Sequence, residues 1–180
     1  GVFAIGGTTS GAASVTGTGT VTATSGTLNV SGNFTPAVFT AGTSTVNLTG
    51  AGNVSANTFA TLNVTNGTRT ATGNVSAGAV TVTAPGILAI VATTSGAASV
   101  TGTGDVSVST GSLTVTGALT VASLAFTGGG SASVGGDFTP GGFTASTSTV
   151  NLTNTGNVSA YTFATLNVTN GTRTATGNVS

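Results

Sequence analysis

The stretch LNVSGNFTPAVFTAGTSTVNLTGAGNVSANTFATLNV runs from Leu28 to Val64 and holds three short units of one kind. They are Leu28-Asn29-Val30, Val46-Asn47-Leu48 and Leu62-Asn63-Val64. Each places apolar side chains at the first and third positions with Asn between, a period of two that belongs to an extended strand. Working outward, Val80-Thr81-Val82, Leu113-Thr114-Val115, Val150-Asn151-Leu152 and Leu166-Asn167-Val168 repeat the pattern. Ala13-Ser14-Val15, Ala98-Ser99-Val100 and Ala132-Ser133-Val134 are weaker members. The ten units lie 15–19 residues apart. Gly and Asn punctuate between them, and Thr and Val favour extended backbone because branching at Cβ stiffens χ1.

Two longer repeats overlie this short one. Thr8–Gly19 recurs as Thr93–Gly104, 85 residues on, with Gly1–Ile5 matching Gly86–Ile90. Gly32–Ser76 recurs as Gly136–Ser180, shifted by 104, and within it Thr58–Ser76 and Thr162–Ser180 are identical. The offsets differ by 19 residues, so the second copy carries one extra layer near 117–135. From just before that region Leu113-Thr114-Val115, Leu119-Thr120-Val121 and Leu124-Ala125-Phe126 read as three short strands whose joints are too tight for hairpins and look like corners of a coil.

One layer of this length cannot bury its own apolar face, whereas stacked layers share a continuous core. The reading is therefore an all-β, right-handed parallel β-helix (β-solenoid) of about ten coils of 15–19 residues. Residues 1–180 form a single solenoid of two imperfect repeats, about 1–85 and 86–180. Leu28, Val46 and Leu62 stack inside, while Asn29, Asn47 and Asn63, then Asn151 and Asn167, form outward ladders whose amides bond along the axis. Phe34, Phe39 and Phe59, with Phe138, Phe143 and Phe163, are core or corner fillers. A transmembrane β-barrel fits poorly, since its strands need about 9–11 alternating residues and aromatic girdles.

Composition narrows function. Charged residues make up 2% of the chain, against about 25% in ordinary proteins, and they are Arg69, Arg173, Asp105 and Asp137 alone. Two arginines make no basic stripe for nucleic acid. With no His, Cys or Met the usual zinc, haem and triad chemistries lose their residues. No cofactor, metal or enzymatic activity is expected. Asp105 aligns with Thr20 and Asp137 with Asn33, so the repeat stands without either carboxylate. The longest apolar run, 86–92, is too short to span a bilayer as a helix, and no membrane insertion is expected.

Other features have a bland reading beside a functional one. Arg69 and Arg173 sit in Asn-Gly-Thr-Arg-Thr-Ala-Thr and read as solvated arginines on an outward face, with contact to a partner or glycan as the alternative. Twelve Asn-x-Ser/Thr sequons occur, among them Asn29, Asn47, Asn63, Asn66, Asn151, Asn167 and Asn170. These are candidate glycosylation positions in a chain that makes sequons by composition. Thr16-Gly17-Thr18, Thr20-Val21-Thr22, Thr68-Arg69-Thr70 and Thr172-Arg173-Thr174 have the TxT spacing of ice-binding solenoids, out of register from layer to layer.

Gly26–Phe34, Ser44–Thr68 and Ser148–Thr172 resemble the repeat arrays of secreted bacterial surface proteins, the filamentous-haemagglutinin-like and autotransporter-like β-solenoids. The resemblance implies export, an extracellular or cell-surface location, and a role in adhesion, biofilm or surface fibres. Residues 1–20 show no basic signal region, so Gly1 is expected to be a processed end or a cut within a longer protein. Gly1 matches Gly86 and Ser180 matches Ser76, leaving nine residues, Ala77–Pro85, between the two phases. The expected function is a structural one, in a surface fibre or filament built by coils stacking end to end on copies of the chain. The alternatives are a cell-surface adhesin that binds surface glycans, and an ice-binding solenoid.

Overall fold

The computed structural model describes residues 1–180, which form short strands joined by turns, bends and irregular segments, with no helix. Most strands are three or four residues long. Every pairing is parallel, and each strand lies on the one a coil earlier. The step between paired residues runs from 16 (Thr45 to Thr61) to 20 (Ser76 to Gly96), a residue longer at each limit than the unit spacings in the sequence. The chain is a β-solenoid of about ten coils. At the usual interstrand spacing it is about 48 Å long.

Each coil has three sides. On the first, Val2–Ile5 lies under 20–23, which lies under 38–40. Thr9–Ala12, Thr27–Val30, Thr45–Leu48 and 61–64 stack on the second. On the third, 15–17 and 34–36 lead to Gly52–Val54, Thr68–Ala71, Ile87–Ile90, Asp105–Val108 and Ser123–Phe126. Val15–Ala23 shows how a corner is made. Its pairing slips between Gly17 and Thr20, and Gly17 turns there with φ of 116°, a backbone state that side chains with a Cβ avoid.

Burial follows the alternation. In Thr27–Val30 and Thr45–Leu48 the apolar residues are buried while Thr and Asn face outward. One inward column on the second side runs Leu28, Val46, Leu62, Val80, Val100, Leu119, Phe138 and Val158 without interruption. The buried apolar residues form one cluster of 37 along the axis. Burying a side chain of this size is worth roughly 1.5–3 kcal/mol, so the stack and not the single coil carries the stability. Phe34, Phe39 and Phe59 meet with centroids 5.1–5.4 Å apart inside it, and Phe138, Phe143 and Phe163 form the matching cluster, joined by Phe126 and Tyr161.

The ten sequence units do not form one column. Those at 28–30, 46–48, 62–64 and 80–82 occupy the second side, whereas 113–115, 132–134, 150–152 and 166–168 occupy the first. The short 15-residue step from Ala98 to Leu113 is a change of side. Ala13 and Ser14 are exposed at a corner, and the rung below Thr27–Val30 is instead Thr9–Ala12. The cause is arithmetic: 85 residues is about four coils and two sides, so the second long repeat is rotated by one side relative to the first. Gly1–Ile5 begins the first side and its match Gly86–Ile90 the third.

The extra layer near 117–135 is one whole coil. It gives Leu119–Thr120 to the second side, Ser123–Phe126 to the third and Ser131–Val134 to the first. Gly136 N–H then donates to Gly117 carbonyl at 2.8 Å, one coil below it.

Candidate functional site

Three features carry side-chain chemistry beyond packing: the Asn ladders, the two arginines and the ends of the stack. The ladders follow from register. Asn29, Asn47 and Asn63 are directly stacked, and so are Asn151 and Asn167. Asn47 Nδ2 donates to Asn29 Oδ1 at 2.7 Å, Asn63 Nδ2 to Asn47 Oδ1 at 2.8 Å, and Asn167 Nδ2 to Asn151 Oδ1 at 2.9 Å. The first ladder lies on the second side and the other on the first side, because of the rotation between repeats. Glycosylation would need the amide nitrogen that Asn47, Asn63 and Asn167 already use, whereas Asn66 and Asn170 are exposed in turns.

The arginines correct the sequence reading. Arg69 is not on an outward face: it is 0% exposed and points into the core with Ala71, while Thr68 and Thr70 flank it outside. Its Nη2 donates to Val30 carbonyl at 2.8 Å and its Nη1 to Gly32 carbonyl, both two coils below. The route down exists because Gly52 is the residue directly beneath Arg69. A Cβ on Gly52 would stand 3.1 Å from Arg69 Nη1 and 3.0 Å from Gly32 carbonyl carbon. Arg173 repeats the arrangement on Val134 and Gly136 carbonyls, over Gly156. Each guanidinium thus ties three coils together from inside.

No carboxylate pairs with Arg69, and desolvation lowers its proton affinity below the ordinary guanidinium range. Arg173 shifts the same way for the same reason, with Asp137 acting in opposition. Both Nε atoms are buried without a partner. Asp137 Oδ1 also accepts the Asn157 N–H at 2.7 Å, as Asn33 Oδ1 accepts the Asn53 N–H at 2.9 Å in the first repeat. Asp105 stands elsewhere, exposed on the third side between Ile87 and Ser123. No three acidic, His or Cys residues come together.

Gly52 and Gly156 were the residues that the sequence reading passed over. The signal that could have found the inward Arg is the strict alternation in Thr68-Arg69-Thr70-Ala71, with the same Gly-Asn-Val preceding it in both repeats.

The TxT pairs do not stack on one another. Thr68 and Thr70 lie under Ile87 and Ala89, and Thr20 lies between Val2 and Val38. Tyr161, which replaces Asn57 in the second repeat, is half-buried among the phenylalanines and donates its hydroxyl to Pro140 carbonyl.

The end coils present unpaired strands. Val2–Ile5 and Thr9–Ala12 are bonded only to the coil above, and 165–168 and Arg173–Ala175 only to the coil below. Inward-facing side chains are therefore exposed there: Phe3 at 56% at one end and Val168 at 53% at the other. No family model, curated protein or solved structure matches the chain. No helix is long and apolar enough to cross a membrane.

Proposed function

We propose that the chain is an extracellular structural protein, without enzymatic activity, that contributes to a surface fibre or filament by stacking end to end on copies of itself. Its repeat style resembles that of the filamentous-haemagglutinin-like and autotransporter-like surface proteins, and the proposed cell-surface setting rests on that resemblance. The observation that carries the proposal is the uninterrupted stack: each coil presents a row of backbone groups and an apolar column that the next coil, of similar sequence, completes through parallel pairing. Charge, the usual block to edge-to-edge association, is nearly absent: the formal net charge is zero and only four residues are ionised side chains.

The test is negative-stain microscopy and sedimentation velocity of the full chain over a range of concentrations. Rods whose lengths are multiples of about 48 Å are expected at high concentration. Phe3→Lys and Val168→Lys, both at exposed end positions, should hold the rods at one unit. Single rods at every concentration, or unchanged elongation in both variants, would overturn the proposal.

A further inference from the structure

Fourteen asparagines lie along the chain, and only Asn66 and Asn170 are followed by glycine; the other twelve precede Val, Leu, Phe or Thr. We propose that Asn66, with its equivalent Asn170, is a self-reacting modification site, where the chain converts asparagine to aspartate and isoaspartate through a cyclic imide, using water alone.

The corner at Asn66 meets three demands of that reaction. The side-chain amide has to be free. Asn66 is exposed in its turn although coils lie both above and below it, and it takes no part in a ladder, whereas Asn47, Asn63 and Asn167 spend their amides there. The backbone nitrogen that attacks, that of the next residue, has to be unclaimed. Gly67 N–H donates no hydrogen bond, although Gly67 carbonyl accepts Ile87 N–H at 3.0 Å. By contrast, Val75 N–H, after Asn74, is given to Ser95 Oγ at 3.4 Å, and Leu48, Val64 and Leu152 follow their asparagines inside paired strands. The nitrogen also has to be uncrowded. Gly67 carries no side chain, and the fold keeps it so: its φ is 66°, and a Cβ there would stand 2.6 Å from Ala51 nitrogen. Gly171 repeats this state over Thr155, with φ of 72°.

In the reaction Gly67 nitrogen bonds to Asn66 Cγ, and Nδ2 leaves as ammonia with the proton that Gly67 gives up. Water then opens the imide. Cleavage of the new bond to Cγ leaves aspartate. Cleavage of the old bond to the Asn66 carbonyl carbon leaves isoaspartate, whose main chain runs through Cγ and gains a methylene. The products differ in what they do to the stack. Aspartate only adds a negative charge to a chain of zero formal net charge. Isoaspartate lengthens a corner without slack, since Thr65 N–H is held by Leu48 carbonyl at 3.0 Å below and Gly67 carbonyl by Ile87 above. The added length displaces Thr68–Ala71, the strand that carries Arg69 to Val30 and Gly32 carbonyls. The corner is thus an ageing device that loosens three coils from one exposed turn.

The test incubates the full chain, made without glycosylation, at mildly alkaline pH. The products are located by tandem mass spectrometry after denaturation and trypsin, which cuts after Arg69 and Arg173 and so separates Asn66 from Asn170. Isoaspartate is counted with an isoaspartyl methyltransferase. Asn66 should convert on the order of tenfold or more faster than Asn47, Asn63 and Asn151, which react only on local unfolding. Conversion at Asn66 no faster than at Asn63 would overturn the site. Hydrogen exchange then reads the consequence. The aged chain should exchange its Thr68–Ala71 amides faster than the parent, while Asn66→Asp, which has the charge without the methylene, should exchange like the parent. Equal speeding in Asn66→Asp, or unchanged exchange in the isoaspartate form, would overturn the ageing device.

Discussion

Replacing the buried Arg69 separates what its charge does from what its bulk does. In Arg69→Met the two hydrogen bonds to Val30 and Gly32 carbonyls are lost, and bonds to a charged group are worth about 1.5–3 kcal/mol each. Against that, an unpaired buried cation disappears, which relieves a desolvation penalty of several kcal/mol. The unpartnered Nε disappears with it, worth about 1–3 kcal/mol. These terms nearly cancel, so Arg69→Met should lie within about 1.5 kcal/mol of the parent. Arg69→Ala loses the same bonds and relieves the same charge but also empties the space between Gly52 and Leu88. Its extra loss is the packing term, about 2–5 kcal/mol by analogy with other large-to-small core changes.

For a chain of this size the alanine variant should then melt about 4–20 °C below the methionine variant. The assay is thermal unfolding by circular dichroism, with hydrogen exchange to locate the opened coils. Burial makes the folded chain bind the Arg69 proton less tightly than the unfolded chain. Any linked gain in stability of the parent therefore comes only as pH rises into the alkaline guanidinium range, and the gap between the parent and either variant should stay flat from about pH 5 to pH 9. Equal losses in the two variants would refute the cancellation and show that the charge itself is required. No loss in Arg69→Ala would refute the inward placement.

Gly52→Ala should destabilise by about 1–3 kcal/mol, because its φ of 154° and the close Asn33, Gly32 and Arg69 atoms leave no room for a Cβ. Gly11→Ala, with nothing within 4 Å, should change stability by less than about 0.5 kcal/mol in the same denaturation assay. Asn47→Leu removes one donated and one accepted ladder bond and should lose about 1–3 kcal/mol by urea denaturation. Deleting Gly117–Gly135 should leave a folded solenoid shorter by about 4.8 Å in small-angle scattering, since Gly136 then takes the place of Gly117 over Ala98 carbonyl.

Much of this architecture was legible in the chain. The Leu-Asn-Val units show strand alternation without any long-range information, because the period of two is local. Their recurrence gives the coil length, because a layer that cannot bury its own face has to find it in the next. The extra 19 residues read as one coil for the same reason: any other length would throw the later rungs out of register. The Asn ladder follows once like residues stack on like.

The sides of the coil and the partners of the buried arginines were not legible in this way, although the alternation in Thr68-Arg69-Thr70-Ala71 signals the inward face. Whether two matching units share a column depends on how many corners the intervening chain turns, and corner geometry at positions such as Gly17 is set by the coil above and below. That is why Asn47 and Asn151, equivalent in the two long repeats, lie on different sides. The inward path of Arg69 depends on Gly52, seventeen residues earlier and directly beneath it, and on carbonyls a further coil down. Alternation and layer length are properties of neighbouring residues, so the chain alone determined them. Which side a rung occupies, and which carbonyls a buried cation meets, are properties of the closed stack, and only the tertiary structure decided them.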